Sequence, residues 1–263
     1  MVRDSSRRER LLEIVRLNGF ASLPNLVNEL EVSGSTIRRD LDFLENTGVV
    51  RRTHGGVFYT GPTPKVTHFE HRQGQSWSEK KAIARAAAAS IKDGETILLD
   101  GGSTTYELAQ CLIGRPIQVV TNSLPVATLF TSGDSADVVL IGGYVHGRTG
   151  VCTGPYANSM LRELNVQTAI ISVAGANEGG FYNSNLLLVE TEREMMRSAD
   201  KVTVVADSTK FGHTSLARLC ELKEISTLVA DNGLSEHWRE QMEMAGVDVI
   251  IAEYEAMEKE TVA

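Results

Sequence analysis

The sequence is 263 residues long, 42% hydrophobic and 23% charged, the balance of a globular chain with room for one large domain or a small one joined to a mid-sized one. No apolar run approaches the roughly 18 residues of a membrane span, and the arginine-rich start lacks a signal peptide's apolar stretch, so a cytoplasmic protein without membrane partners is expected. Three widely spaced cysteines argue against a disulfide framework, and no Cys/His cluster has metal-ligand spacing, so neither metal nor cofactor is expected.

Three short helical patterns open the chain. From Arg7 to Leu17 the apolar residues Leu11, Leu12, Ile14, Val15 and Leu17 recur at near-helical spacing, ended by Asn18-Gly19. Ser22 suits an N-cap for a second helix, with Leu23, Leu26, Val27 and Leu30 on its apolar stripe. Ser33 caps a third helix running to about Thr47, where Gly48 stops it. Val49 to Tyr59 then reads as two short strands around the Gly55-Gly56 turn.

Residues 60–77 hold prolines, histidines and glycines without a period, and read as a linker. Domain boundaries of 1–59, 60–77 and 78–263 follow. Helix resumes at Ser78 and continues to Ile91 through an alanine-rich stretch. Seven apolar, β-branched runs come next: Thr96–Leu99, Ile117–Val120, Val138–Ile141, Ala169–Val173, Val202–Ala206, Thr227–Val229 and Val247–Ile251. Separated by helices or longer loops, they predict a mostly parallel sheet covered on both faces. The segment from Tyr254 to Glu260 reads as an acidic tail.

Net charge is −8 but unevenly spread: residues 1–60 hold nine arginines, no lysine and eight carboxylates, leaving −9 on the remainder. A mildly basic head on an acidic body suits a chain that touches nucleic acid through one small module, because charge is screened within about 10 Å. On a helical wheel Ile37, Leu41 and Leu44 share one face of the third helix, while Ser35, Arg38, Arg39 and Asp42 lie opposite. Adjacent outward arginines also make an ordinary solvated surface, but with the Gly-Phe-Ala-Ser connection of residues 19–22 and the basic hairpin of Arg51, Arg52 and His54 they read as a recognition helix beside a wing.

In the body, Asp100-Gly101-Gly102-Ser103-Thr104-Thr105 follows the first strand and leads into a helix expected from Tyr106. Free backbone N–H groups, hydroxyls and a helix dipole at one solvent-facing turn suit a phosphate. The segment alone fits an ordinary strand-to-helix turn equally well. Thr121-Asn122-Ser123, Gly142-Gly143, Gly175-Ala176-Asn177 and Asp207 to Gly212 punctuate later strand ends, which in an open parallel sheet meet at one crevice, with Lys210 as a possible anion partner.

Val32-Ser33, Thr36-Ile37-Arg38-Arg39-Asp40-Leu41, Leu44, Gly48, Arg52 and His54-Gly55-Gly56 resemble the signature of the DeoR family of bacterial regulators, and the likeness continues into the body. Gly34-Ser35 departs from it, where many relatives carry larger polar residues at a DNA-facing position. The resemblance implies a winged helix-turn-helix that reads operator DNA through Ser33, Ser35, Thr36, Arg38, Arg39, Arg51, Arg52 and His54. It implies a sensor domain similar in fold to ribose-5-phosphate isomerase and glucosamine-6-phosphate deaminase. Carried over by position, Asp100, Gly102, Ser103, Thr104, Thr105, Asn122, Gly143, Glu190 and Lys210 would bind a phosphorylated sugar. A homo-oligomeric repressor, dimer or tetramer, released from its operator by that metabolite is the implied function.

An isomerase or deaminase with an appended DNA module is the competing reading, and an activator of similar build a third. Against turnover, Ala174-Gly175-Ala176-Asn177 stands where the isomerases carry two carboxylates, and Asn183-Ser184-Asn185 supplies no lysine, so no catalytic residue is expected. Glu178 is the nearby carboxylate that keeps the enzyme reading open.

Overall fold

A computed structural model describes residues 2–18, 20–21, 23–30, 32–53, 56–59, 76–131, 136–147 and 149–254. The expected linker lies outside the described residues as far as position 75, as do His54, His68, His71 and the tail beyond Tyr254. The chain divides into two compact units, a head and a body.

The head contains α1 (Val2–Asn18), β1 (Phe20–Ala21), α2 (Leu23–Leu30), α3 (Gly34–Asn46), β2 (Val50–Thr53) and β3 (Gly56–Tyr59). Leu11 and Val15 of α1 pack with Leu26 of α2, with Ile37, Leu41 and Leu44 of α3, and with Val50 and Val57 of the hairpin. Each fully buried aliphatic side chain contributes about 1.5–3 kcal/mol. Ser33 Oγ accepts the Thr36 N–H and so caps α3. Gly48 stops the helix with φ of 74°, a left-handed conformation that costs glycine nothing, while its N–H returns to Glu45 O.

The sequence reading gave the wing two strands, and the structure adds a third. Phe20 and Ala21 pair with Phe58 and Val57, giving the order β1-β3-β2. Of the expected connection, Phe20 and Ala21 are strand residues of the wing sheet, while Gly19 and Ser22 lie outside the described residues.

In the body, α4 (Trp77–Ser90) precedes β4 (Thr96–Leu99), α5 (Ser103–Leu112), β5 (Gln118–Thr121), α6 (Leu124–Phe130) and β6 (Asp137–Leu140). A hairpin of β7 (Tyr144–His146) and β8 (Val151–Thr153) leads to α7 (Pro155–Arg162) and β9 (Val166–Ser172). Then come β10 (Gly175–Asn177), β11 (Gly180–Asn183), α8 (Leu186–Arg197), β12 (Ala199–Val205), β13 (Ala217–Cys220), β14 (Thr227–Asp231), α9 (Glu236–Met244) and β15 (Asp248–Ala252).

Seven strands form one sheet in the order β15-β14-β12-β9-β4-β5-β6, with every pairing parallel. Side chains alternate across it, as a strand's period of two requires. Ile97, Leu99 and Ile170 join α4, α5 and α6 on one face, while Leu98, Ala169 and Ile171 join α7, α8 and α9 on the other. The small antiparallel sheet β10-β11-β13 packs on that second face through Ala176, Phe181, Ala217 and Leu219. From β4 the chain winds outward to β6, then crosses back to β9 and winds the other way. The strand order thus reverses between β4 and β9, where doubly wound sheets open a ligand crevice at their carboxyl edge.

Candidate functional site

At that reversal one carboxylate ties the two strand ends together. Asp100 is 2% exposed. Its Oδ1 accepts the Gly102 N–H at 3.0 Å and the Thr105 hydroxyl at 2.5 Å, while its Oδ2 accepts the Ser172 N–H at 2.9 Å and the Ser172 hydroxyl at 2.8 Å. Burial raises the Asp100 carboxyl above its ordinary value, against the pull of those four donors. Gly102 must be glycine, because a Cβ there would stand 2.6 Å from Ser172 Cβ and overlap its Oγ.

The helix begins at Ser103, three residues earlier than the sequence suggested, so Ser103, Thr104 and Thr105 form its first turn. Their backbone N–H groups precede the first intrahelical bond, Tyr106 N to Gly102 O at 3.0 Å. The side chains are buried, at 7%, 5% and 0% exposure, which corrects the expected solvent-facing turn. The turn is instead wedged beside Ser172 and the β8 residue Val151, which approach Gly102 and Gly101 respectively. The Thr105 hydroxyl is committed to Asp100, whereas those of Ser103 and Thr104 meet no acceptor among the described residues. Three free N–H groups and two free hydroxyls at a positive helix end can hold a dianion.

The other expected residues are spread along the same edge. Asn122 follows β5 and is fully buried; Gly143 follows β6 and is exposed. Lys210 stands in a single 3-10 turn after β12, one-third exposed, with Nζ 3.7 Å from Asp207 Oδ2. Glu190 lies on the exposed side of α8, outside the hydrogen-bonded set. Glu192, two residues on, is the buried one. Both its oxygens accept from Asn183 Nδ2 at 2.8 Å, and the same amide donates to Ser172 O at 3.1 Å. Burial, then the neighbouring Asp100, pushes Glu192 well above the usual carboxylate range, against the Asn183 bond.

Glu192, Asn183 and Ser172 escaped the sequence reading. The apolar spacing of α8 held the only signal, since it turns position 192 inward with Val189 and Met195. The segment that stands where the isomerases carry carboxylates forms strand β10, and in the turn after it Asn177 Oδ1 accepts the Gly179 N–H at 2.8 Å. Glu178 is exposed beside His237, at 3.8 Å. A shallow depression lined by Arg162, Glu194 and Arg197 lies at the opposite, amino-terminal edge of β9 and β12.

On the head, Ser35, Arg38, Arg39 and Asp42 are exposed along α3, as the wheel predicts. Among the described residues the guanidinium groups of Arg38, Arg39 and Arg51 meet no acceptor. Arg52 is partly engaged: its N–H donates to Glu45 Oε1 at 2.9 Å and its side chain pairs with Asp42. Ser33 Oγ lies 2.9 Å from both the Ser35 and Thr36 hydroxyls, so its capping role occupies it. Asp40, also unanticipated, is 1% exposed and accepts Arg7 Nε at 2.6 Å and Arg8 Nε at 2.8 Å, which pins α1 to α3. The Arg8 guanidinium also lies over the Phe43 ring, 4.2 Å from its centre.

A family model described as the DeoR-like helix-turn-helix domain matches residues 7–63, and one described as the DeoR C terminal sensor domain matches residues 75–232. The chain is 30% identical over 249 residues to the HTH-type transcriptional regulator GolR of Listeria innocua, covering 94% of this chain and 98% of that one. It is 30% identical over 240 residues to the lactose phosphotransferase system repressor of Lactococcus lactis, covering 89% and 94%. It is 28% identical over 246 residues to the L-fucose operon activator of Haemophilus influenzae, covering 93% and 99%. Among solved structures, ribose 5-phosphate isomerase from Methanocaldococcus jannaschii aligns with a TM-score of 0.37 at 18% identity, over 50% of this chain and 53% of that one. With the helix-turn-helix matched at one end, the sensor domain matched over most of the body, and relatives aligned along nearly its whole length, the chain belongs to the DeoR family of transcriptional regulators.

Proposed function

We propose that this regulator represses a carbohydrate-metabolism operon and leaves its operator when a phosphorylated sugar occupies the body. The observation that carries the reading is the start of α5, where three backbone N–H groups and the Ser103 and Thr104 hydroxyls lie without partners among the described residues at the sheet's reversal point. Gly102 to Thr105 take the phosphate, held in shape by Asp100. Asn122, Gly143 and Lys210 lie along the same edge for the rest of the ligand, and Glu190 stands farther out on α8. The names of the Lactococcus repressor and the Haemophilus activator both point to sugar control, and the latter keeps an activator as the second reading.

The head, residues 1–59, presents Ser35, Thr36, Arg38 and Arg39 to the major groove, with Arg51, Arg52 and His54 on the wing and Ser33 at the helix cap. Residues 60–77 link it to the sensor of residues 78–263. One winged helix contacts too little DNA for useful specificity, so a cytoplasmic homo-oligomer places heads on neighbouring half-sites. The sugar shifts the population toward an arrangement whose heads no longer match the operator.

Two tests follow. Calorimetry with a panel of sugar phosphates is expected to find one whose dephosphorylated form binds at least about a hundredfold more weakly; Ser103→Ala and Thr104→Val are each expected to cost that ligand about tenfold, as loss of a hydrogen bond to a charged group does. Equal affinity for a sugar with and without its phosphate would refute the anion site. Arg38→Ala and Arg39→Ala are each expected to weaken operator binding by about 1–3 kcal/mol without changing the melting temperature, since both side chains point away from the core. Wild-type affinity in both variants would remove α3 as the reader.

A further inference from the structure

The wing carries two neighbouring arginines that the fold treats differently. Strand β2 runs Val50-Arg51-Arg52-Thr53, and side chains alternate across a strand. Val50 is 2% exposed and packs into the head's core with Ile37, Leu41 and Leu44 of α3. Arg52 therefore leaves β2 on the face that Val50 turns toward α3, and Arg51 leaves on the opposite face. Exposure follows this alternation: Arg51 is exposed, whereas Arg52 is half-buried.

Two carboxylates of α3 hold Arg52 in place. Glu45 Oε1 accepts its backbone N–H at 2.9 Å, which ties the strand to the last turns of the helix. Asp42 Oδ1 accepts from Nη1, which ties down the guanidinium itself. The position of Asp42 gives that bond its meaning. Asp42 continues the outward stripe of Ser35, Arg38 and Arg39 at helical spacing, and all four are exposed. On a face turned to DNA a bare carboxylate repels the phosphates. Paired with Arg52, its charge is balanced, and a wing side chain is drawn onto the helix's own stripe.

The pairing also changes what the arginine can do. An arginine free to follow the DNA backbone displaces a counterion and favours every sequence alike. One whose charge is balanced by a carboxylate displaces little. Its other N–H donors remain, now with a fixed direction, and a guanidinium of fixed direction is suited to a base edge.

We propose that Asp42 is a specificity-determining residue that acts through Arg52. It withholds that guanidinium from the phosphates and holds it beside Arg38 and Arg39 to read a base edge, leaving the wing's backbone contact to Arg51. The inference rests on the reading of α3 as the DNA-facing helix and goes beyond it: Asp42 has no part in that reading, and Arg51 and Arg52 share one role there.

The test uses the full chain and two duplexes of equal length, one selected by the wild-type chain from a random pool and one of unselected sequence, each titrated over a range of salt. Asp42→Ala is expected to bind the unselected duplex more tightly, with a log–log salt dependence steeper by about one. Its preference for the selected duplex is expected to fall about tenfold, the lower value for one lost base contact. Arg52→Ala is expected to lose the same preference with the salt dependence little changed, and adding Asp42→Ala to it is expected to lower the preference no further. Arg51→Ala is expected to weaken both duplexes alike and to flatten the salt dependence by about one. Asp42→Glu, which keeps a carboxylate within reach of Arg52, is expected to retain most of the preference.

Wild-type preference and salt dependence in Asp42→Ala overturn the proposal. So does a further tenfold loss when Asp42→Ala is added to Arg52→Ala, because the carboxylate would then act on DNA directly. So does an Arg52→Ala that behaves like Arg51→Ala, a comparison that needs no variant of Asp42 to fold. If Arg38→Ala and Arg39→Ala bind the selected duplex like the wild type, the reading of α3 falls and this inference with it; if both weaken that binding while Asp42→Ala changes nothing, only this inference falls.

Discussion

Gly102→Ala is expected to destabilise the body by about 3 kcal/mol, the upper range for forcing extra atoms into a packed interior, and to remove phosphate binding. The added methyl group overlaps Ser172 Oγ, so either β9 or the start of α5 must move. Either movement breaks bonds that meet at Asp100, which takes two donors from the turn and two from Ser172. A buried carboxylate stripped of donors is costly, so the damage spreads beyond the clash itself. Gly142→Ala is the control, because nothing lies within 4 Å of a Cβ there. Urea unfolding of both variants, with calorimetry on the sugar-phosphate panel, checks the expectation. Equal stability of the two would mean that the seam between β4 and β9 is not set by this contact.

Asp40→Ala is expected to cost the head about 2–4 kcal/mol and with it operator binding. The lower part of that range reflects Arg7 and Arg8, whose side chains are 23% and 31% exposed and so are partly screened by solvent. Burial by itself would raise the Asp40 carboxyl, but the hydrogen bonds and charges of Arg7 and Arg8 outweigh it and hold the group below its ordinary value of 3.8. The sign follows from linkage: a depressed carboxylate contributes fully above that value, and its contribution is lost as pH falls below it. Thermal melts of an isolated head, or of the full chain followed at the wing, should therefore lose the wild-type advantage over Asp40→Ala in acid. Asp42→Ala, which breaks only an exposed pair with Arg52, should change stability by less than about 1 kcal/mol. A variant of Asp40 that melts like that of Asp42 would demote the clamp to surface decoration.

Much of this molecule is written where long periods are. The seven apolar runs fall within a few residues of β4, β5, β6, β9, β12, β14 and β15, because a strand buried on both faces leaves an uninterrupted β-branched signal. The faces of α3 follow from its wheel for the same reason. Several short elements outside the main sheet escape such reading. Strand β1 and the β11–β13 pairing are held by partners distant in sequence, and nothing local in Phe20-Ala21 announces a strand; β7–β8 and β10–β11 are local hairpins too short to show a period.

The candidate site divides in the same way. Gly102 to Thr105 were legible as a small-residue turn opening a helix. The role of Asp100 as the clamp rather than a ligand contact depends on Ser172, which only the sheet order brings near. Glu192 was missed in favour of Glu190 because two residues on a helix reverse a side chain from solvent to interior. Asp40 was within reach: three residues from Ile37 and four from Leu44, it borders the core stripe, and a carboxylate there demands a buried cation.

The central seam of the sheet has a consequence for the order in which the protein comes into being. Asp100 and Ser172 meet across 72 positions of chain, so the loop-closure entropy of that pairing must be met before either strand end takes its final shape. The last wing strand ends at Tyr59, early in the sequence, and its most distant pairing, Phe58 with Phe20, spans 38 positions. On a growing polypeptide the parts that read DNA are all present while the crevice still lacks its second wall. Under the proposed reading, synthesis thus delivers the grip before the release, and a chain cut short ahead of β9 would hold its recognition helix without the crevice through which a metabolite calls it back.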